Sequence, residues 1–224
     1  MLERILPPEV VVQVARPGLD PTVYPEEEAL VERAVAKRRR EFLAGRACAR
    51  AALTDLGLPR RPILSGPKGE PLWPAGIVGS ITHCDGYAAC AVARSADLLS
   101  LGVDAEPDLP LPDGILADIA LPEERAQLAE LSCEAPGPHW DRLLFCLKES
   151  IYKAWFPLAG RWLGFEDAAV AIDPATDTFT ARLLVPGPLV EGQELRRLQG
   201  RLLAADGLLL AAVALPRGTN ATAC

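Results

Sequence analysis

Apolar residues recur at helical spacing between residues 26 and 57. Val31, Phe42 and Leu53 belong to this set, acidic residues crowd its first turns, and Gly57 follows its end. Spacing of three to four residues, with acids at the start and a glycine at the exit, is typical of amphipathic helices. The pattern predicts one long helix or a pair of helices.

Two more helices are predicted in the second half of the chain. The first begins at Pro122 and covers residues 121–131. The second starts near His139 and is predicted to end at Pro157 and Gly160, because proline interrupts the hydrogen bonds of a helix. Its inward face is predicted to carry Leu143, Leu147, Ile151 and Ala154.

Short apolar runs separated by turn residues predict strands. Two runs at residues 77–94 flank Asp85-Gly86, which is a strong hairpin signal. The run "LLSLGVDAE" predicts a third strand. Further strands are predicted at residues 165–172 and 178–185 and in a hairpin around Asp206 and Gly207.

Proline and glycine mark the loops. Residues 62–76 are predicted to form a loop with ordered turns. The proline-rich connector at 107–114 predicts a division into an N-terminal half, 1–108, and a C-terminal half, 109–224. The order of helices and strands predicts an α+β fold, and we expect residues 216–224 to be frayed.

Composition narrows the functional classes. The 224 residues are 50% hydrophobic, enough for a sizeable core, and carry a formal charge of −7, so we expect no nucleic-acid binding. No apolar run approaches the roughly 18 residues of a membrane span, and the N-terminus lacks a signal-like apolar segment. We therefore expect a soluble, cytoplasmic protein with no membrane partner. The six cysteines form no CxxC pair, which argues against a zinc site or a disulfide framework.

Acidic residues suggest the chemistry. Asp104 and Glu106 lie one residue apart at a predicted strand end, so both should point to the same face. On the second amphipathic helix, Glu149 and Lys153 are four residues apart and share a face. An ordinary surface ion pair is the alternative interpretation of Glu149 and Lys153.

Basic residues accompany the acids. Arg39, Arg46 and Arg50 share one side of the first helix, beside Lys37, Arg38 and Arg40. This set is either a solvated basic face or part of an anion site, and Lys68-Gly69 adds a cation at a loop tip. Because Mg²⁺ takes carboxylates together with phosphate oxygens, and arginines bind phosphate, the set indicates a site for a pyrophosphate compound.

Four ordered segments carry a family resemblance. They are "KRRREFLAGRACAR", "GPKGEPLWPAGIVGSITHCDGYAA", "LGVDAEP" and "FCLKESIYKAWF", and together they cover residues 37–156. The chain resembles the Sfp-type 4′-phosphopantetheinyl transferases of the EntD-like subgroup. Phe145 and Ser150 resemble the F/KES branch, and the chain is similar to actinobacterial-type enzymes.

The resemblance implies a reaction and a fold. The phosphopantetheine arm of coenzyme A would move to a serine of an apo acyl or peptidyl carrier protein, with release of adenosine 3′,5′-bisphosphate. The carriers would belong to fatty-acid, polyketide and nonribosomal peptide synthases, including those that make siderophores. Two similar α+β halves related by a pseudo-twofold axis would hold coenzyme A between them, and we expect a monomer.

The resemblance also implies the site residues. Asp104, Glu106 and Glu149, with the Ala105 backbone through a water, would hold Mg²⁺, with Mn²⁺ as an alternative ion. Glu149 would act as general base and Lys153 would stabilise the leaving group. The residues implied to contact coenzyme A are Arg38, Arg46, Ser65, Lys68, Gly69, Thr82, His83, Asp104, Lys148, Glu149 and Lys153.

Several assignments stay open. Any of Arg38, Arg39 and Arg40 could face the ligand, and Ser65-Gly66 departs from the lysine expected before the loop glycine. Thr82 and His83 are implied to bind the 3′-phosphate. His139 is interpreted as structural and Cys84 as a packing residue.

Two other functions remain alternatives. One is a module that binds coenzyme A or a carrier protein without catalysis. The other is a different Mg²⁺-dependent nucleotide phosphotransferase or pyrophosphatase, which would need no protein acceptor.

Overall fold

The computed structural model describes residues 1–20, 22–134 and 137–218. It is an α+β fold, as predicted, in which two long helices each pack on an antiparallel sheet. The helices are α1 (Pro25–Ala29), α2 (Ala36–Asp55), α3 (Ile115–Ile119), α4 (Pro122–Glu134) and α5 (Trp140–Ala159). The strands are β1 (Val11–Val14), β2 (Ile77–Cys84), β3 (Tyr87–Arg94), β4 (Leu98–Pro107), β5 (Ala168–Asp173), β6 (Thr178–Leu183), β7 (Leu189–Val190), β8 (Gln193–Glu194), β9 (Arg197–Ala205) and β10 (Leu208–Pro216).

The first layer places α2 on a three-stranded sheet of order β1-β3-β2. Leu53 of α2 packs in one apolar cluster with Cys90 and Val92 of β3. The predicted hairpin between β2 and β3 is confirmed, and Gly86 takes the positive φ of 76° that its turn requires. The region at 26–57 is a helix pair, α1 and α2, rather than one helix.

The second layer places α5 on a five-stranded sheet of order β4-β10-β9-β6-β5. The four residues predicted to face inward from α5 are at most 1% exposed. The predicted strands in residues 165–185 and the hairpin around Asp206 and Gly207 are confirmed. Within the described residues, no helix combines the length and apolarity that crossing a membrane requires.

Gly102 sets the spacing between α5 and β4. A β-carbon at this position would overlap the Ser150 carbonyl oxygen and crowd the Ala154 amide nitrogen. Only glycine lets the helix backbone come this close to the strand. This contact fixes the height of α5 above Asp104 and Glu106, which lie further along β4.

Two hydroxyl groups join the sheets. The Ser80 hydroxyl on β2 accepts a hydrogen bond from the Val103 amide at 3.0 Å and contacts the Val103 carbonyl oxygen at 3.4 Å. Two residues along β2, the Thr82 hydroxyl accepts from the Ala105 amide at 2.9 Å. Ser80 and Thr82 are alternate residues of β2, so both face β4. Their side chains, instead of a backbone ladder, join the two strands.

The end of α5 and the end of the chain each differ in part from the prediction. The prediction that α5 ends at Pro157 and Gly160 is confirmed for Gly160, whose φ is 63°, and wrong for Pro157, because the helix continues to Ala159. Proline lacks one donor, and near the end of a helix this costs only one hydrogen bond. Of the terminal segment predicted to be frayed, residues 219–224 lie outside the described part of the chain, while Arg217 donates to the Ser95 carbonyl.

The division into halves at residue 108 stays a prediction. Strand β4 precedes this point, yet it pairs with β10 from the end of the chain over residues 98–107. The second sheet therefore uses strands from both sides of the connector.

Candidate active site

A cavity of about 930 Å³ lies where the two layers meet. Its walls come from α2, the 62–76 loop, β2, β4 and α5. The loop has the ordered turns that the sequence predicts, with a bridge between Ser65 and Pro71 and a positive φ of 86° at Gly69. Lys68 and Gly69 of this loop line the cavity mouth.

The strand-end acids lie on the cavity floor, as the alternation of β4 predicts. Asp104 is only 5% exposed and accepts a 2.6 Å hydrogen bond from the Lys153 ammonium. Glu106 pairs with Arg142 at 3.0 Å. Each acid therefore has its own cation from α5, and this arrangement limits their mutual repulsion.

Glu149 is the third acid of the cavity. Burial raises its pKa above the usual range, the Lys153 charge opposes that shift, and the charges of Asp104 and Glu106 add to it. Burial and the Asp104 charge likewise raise the pKa of Glu106. A carboxylate with a raised pKa is a stronger base than an exposed one.

Lys153 links α5 to β4. Burial lowers its pKa, but the charge and hydrogen bond of Asp104 outweigh that effect, so the pKa is raised overall. Its ammonium also donates to the Val103 carbonyl oxygen at 3.2 Å. The group is therefore held as a cation on the cavity floor.

The acids fit Mg²⁺ in their chemistry. Mg²⁺ binds through one or two carboxylates together with phosphate oxygens, and the buried Asp104 Oδ2 has no hydrogen-bond partner. In the described residues, however, no three His, Cys, Asp or Glu side chains are gathered closely enough to hold a metal ion. As placed here, Asp104, Glu106 and Glu149 do not form a metal site by themselves, and their assignment as Mg²⁺ ligands stays a prediction.

Basic residues form another part of the cavity lining, which we call the basic wall. Arg38 and Arg46 of α2 line the cavity together with His83 of β2. The Arg38 guanidinium lies 2.6 Å from His83 Nε2, and burial together with the Arg38 charge lowers the pKa of His83. A neutral His83 oriented by Arg38 leaves the remaining arginine donors for an anion.

Arg46 is held rigidly. Its Nε donates to the Ile63 carbonyl at 2.8 Å and its Nη2 donates to the Ser65 hydroxyl at 2.8 Å. The guanidinium also stacks on Phe42, 4.3 Å from the ring centroid, and burial lowers its pKa to about 10. Ser65 therefore positions Arg46 rather than lining the cavity itself.

The neighbouring arginines have other surroundings. Arg39 pairs with Glu28 at 2.5 Å. Arg50 is 2% exposed and forms a buried cluster with Asp20 and Glu27. Neither lines the cavity, and the burial of Arg46 and Arg50 excludes a simple solvated basic face.

Lys148 is not part of the main cavity, in contrast to its implied contact with coenzyme A. It is 4% exposed, pairs with Glu124 at 2.8 Å and donates to the carbonyls of Phe165 and Ala168. These partners occupy its donors. Its stem lines a pocket of about 20 Å³ that adjoins the cavity through Glu149.

The Ala105 backbone and Thr82 are also engaged elsewhere. The Ala105 amide donates to the Thr82 hydroxyl, and that hydroxyl lies 3.1 Å from Asp104 Oδ1. Thr82 lines the cavity, but both of these contacts are internal to the protein. His139 bonds Asp108 at 2.9 Å at the start of α5, which agrees with a structural role.

Cys84 is an unreactive thiol. Burial and neighbouring acids, Glu106 foremost among them, raise its pKa to about 12. A thiol with such a pKa holds almost no nucleophilic thiolate at neutral pH. This agrees with its interpretation as a packing residue.

Sequence reasoning missed Arg142. Its guanidinium donates to Glu106, to the Leu109 carbonyl at 3.3 Å and to the Pro110 carbonyl at 3.0 Å. Arg142 thereby links the connector at 107–114 to Glu106. Glu106, Asp104 and Glu149 together are called the acid row below. Arg142 precedes Glu149 by seven residues, two helical turns, so helical periodicity could have placed the two on the same face of α5.

Two protein-family profiles match this chain. The family profile described as the 4′-phosphopantetheinyl transferase N-terminal domain matches residues 26–93, and that of the 4′-phosphopantetheinyl transferase superfamily matches residues 100–199. The first match covers α2, β2 and nearly all of β3 but not β1, and the second covers most of β4, α5, β5 and β6 but not β10.

Three curated relatives carry the same activity in their names. The 4′-phosphopantetheinyl transferase Svp of Streptomyces mobaraensis is 56% identical over 88% of this chain and 81% of its own length. PptT of Mycobacterium tuberculosis is 50% identical over 89% of this chain and 88% of its own. Npt of Nocardia iowensis is 46% identical over 96% and 99%, respectively.

Proposed function

The chain belongs to the 4′-phosphopantetheinyl transferase superfamily and is an enzyme of that class, and from this premise we propose that it transfers the phosphopantetheine arm of coenzyme A to a serine of an apo carrier protein. The reaction requires Mg²⁺ and releases adenosine 3′,5′-bisphosphate. One observation carries the proposal. A single cavity is lined by Asp104, Glu106, Glu149 and a fourth carboxylate, Glu70, together with the Lys153 ammonium and the two arginines Arg38 and Arg46.

Coenzyme A occupies the cavity with its phosphates toward the basic wall. Arg38, Arg46 and Lys68 provide positive charge on that wall, and arginine binds phosphate oxygens through paired donors. The rigid support of Arg46 by Ile63 and Ser65 favours this role, because a donor held in place loses little entropy when it binds. His83 lies beside Arg38 and faces the same phosphates.

The pyrophosphate lies over the acid row. Asp104, Glu106 and Glu149 would hold Mg²⁺, which when bound would supply charge neutralisation for the pyrophosphate and help to align it for in-line attack. The unpartnered Asp104 Oδ2 supports this assignment. Lys153 remains available to the departing bisphosphate.

The transfer step exchanges one phosphorus–oxygen bond for another. The serine oxygen forms a bond to the pantetheine-side phosphorus while the bond from that phosphorus to the bridging oxygen breaks. The electron pair leaves with adenosine 3′,5′-bisphosphate, whose new charge is stabilised by the Lys153 ammonium. The serine proton passes to Glu149, directly or through a water.

The acceptors are acyl and peptidyl carrier proteins or carrier domains of fatty-acid, polyketide and nonribosomal peptide synthases, including those for siderophores. The enzyme acts as a monomer in the cytoplasm. The chain is net acidic at −7, so attraction of the anionic substrate depends on the local basic wall rather than on total charge.

A stoichiometry assay tests the proposal. Apo carrier protein is incubated with the enzyme, coenzyme A and Mg²⁺, and both the holo-carrier and adenosine 3′,5′-bisphosphate are quantified. We expect one bisphosphate for each holo-carrier and no product of either kind with a chelator present. Bisphosphate formation without carrier modification would instead indicate a pyrophosphatase.

A further inference from the structure

We propose that Thr82 is a positioning residue that fixes the Asp104 carboxylate, and that it does not bind the 3′-phosphate of coenzyme A. The proposal deepens the function proposed above and rests on it for the role of Asp104. It follows from the hydrogen bonds of the joint between β2 and β4.

The Thr82 hydroxyl has no capacity left for a ligand. Its single proton points to Asp104 Oδ1 at 3.1 Å, and its oxygen accepts from the Ala105 amide at 2.9 Å. The residue is 1% exposed. To donate to a phosphate, Thr82 would have to release a buried carboxylate, which is costly for a charged acceptor.

The contact determines which oxygen of Asp104 is free. Thr82 and Lys153 both donate to Oδ1, at 3.1 Å and 2.6 Å, whereas the buried Oδ2 has no partner. Two donors on one oxygen fix the rotation of the carboxylate. Oδ2 is thereby left as the carboxylate oxygen that neither Thr82 nor Lys153 engages.

Ser80 joins β2 to β4 without contacting Asp104. It lies on the same face of β2 and binds the amide and carbonyl of Val103, but no bond of its hydroxyl reaches Asp104. Ser80 and Thr82 therefore share the structural task of joining the sheets. Only Thr82 adds a bond to the acid.

The test compares Thr82→Val, which keeps the shape and removes the hydroxyl, with Thr82→Ser, which keeps the hydroxyl. Three quantities are measured: the Mg²⁺ concentration for half-maximal transfer, the rise in melting temperature caused by Mg²⁺ with coenzyme A, and the affinity for adenosine 3′,5′-bisphosphate without metal. Adenosine 3′,5′-bisphosphate carries the 3′-phosphate, and its binding does not require the acids Asp104, Glu106 and Glu149.

We expect Thr82→Val to raise the Mg²⁺ requirement by about 10- to 100-fold, the usual effect of removing a group that orients a metal ligand. The thermal shift on adding Mg²⁺ should shrink in parallel, while bisphosphate affinity stays unchanged. Thr82→Ser should restore both metal responses. A fall in bisphosphate affinity with an unaltered Mg²⁺ requirement would overturn the proposal in favour of a phosphate contact.

Ser80→Ala is the matched control for the joint. It should lower the melting temperature without shifting the Mg²⁺ requirement. An equal shift in both variants would mean that Thr82 acts only by joining the sheets, which would also overturn the proposal. If the wild-type protein transferred nothing, the proposed function would fail, yet the thermal shift and the bisphosphate affinity would still decide the role of Thr82.

Discussion

At the scale of single residues, three consecutive arginines of α2 have different surroundings. Arg38 lines the cavity beside His83, Arg39 pairs with Glu28, and Arg40 is exposed. The sequence left open which of them meets the ligand. Helical rotation of about 100° per residue separates their side chains, so only one of the three faces the cavity.

This difference predicts the effect of three matched substitutions. Arg38→Ala should weaken coenzyme A binding by roughly 10- to 100-fold, the range expected for loss of a hydrogen bond to a charged group. Arg39→Ala and Arg40→Ala should leave the affinity nearly unchanged. Calorimetric titration of coenzyme A into the three variants measures this, and equal losses in all three would refute the assignment.

Glu149→Gln separates chemistry from binding. The amide keeps the size of the side chain but cannot accept the serine proton, so the transfer rate should fall by about 10²- to 10⁴-fold. In the absence of Mg²⁺, removal of one negative charge should leave coenzyme A affinity equal or slightly higher. Single-turnover kinetics with saturating coenzyme A gives the rate, and a rate equal to that of wild type would exclude Glu149 as the base.

At the scale of elements, Gly102 controls the distance between β4 and α5. Gly102→Ala should lower the free energy of unfolding by about 1–3 kcal/mol or more, as overpacking against backbone does. Transfer should also fall, since the acids of β4 would move away from Glu149 and Lys153. Urea unfolding and steady-state assays measure the two effects. Wild-type stability would show that the layers tolerate a wider spacing.

The buried cluster on α2 is a structural counterpart to the cavity arginines. Arg50 is 2% exposed and paired with Asp20 and Glu27, so Arg50→Ala should cost about 3–5 kcal/mol of stability by removing the buried cation that both acids share. Asp20 would keep the partly exposed Arg60, at 3.6 Å, and Glu27 the Ile63 amide. Arg182→Ala removes an exposed pair with Glu123 and should cost less than about 1 kcal/mol. Similar midpoints of urea unfolding for the two variants would contradict this account.

Local sequence patterns predicted most elements because turns and helix faces depend on neighbouring residues. Asp85-Gly86 specifies its hairpin, and the inward face of α5 follows from helical periodicity. Pro157 was misjudged because a proline in a final turn costs little.

Sequence patterns could not predict which distant residues become partners in the folded structure. The acids Asp20 and Glu27 that bind Arg50 lie 30 and 23 residues away from it. The donors of Lys148 are taken up by Glu124, which belongs to another helix. No spacing rule within one element links such residues, so their roles emerge only when the layers are assembled.

At the scale of the whole molecule, the cavity depends on both layers. The arginine wall belongs to α2, Glu149 and Lys153 belong to α5, and the remaining acids lie on β4 between them. Neither layer alone contains both the cavity arginines and the three acids Asp104, Glu106 and Glu149. The joint made by Ser80 and Thr82 holds β2 against β4 at this boundary.

The intact mass of an apo carrier protein, measured after incubation with the enzyme, coenzyme A and Mg²⁺, tests the central claim most directly. The account predicts a gain of one phosphopantetheine unit with the wild-type enzyme. It predicts no gain with Asp104→Ala, with a chelator or with a carrier whose acceptor serine is replaced. An unmodified mass on several acyl and peptidyl carriers, despite measurable binding of coenzyme A, would contradict it, as would full modification by Asp104→Ala.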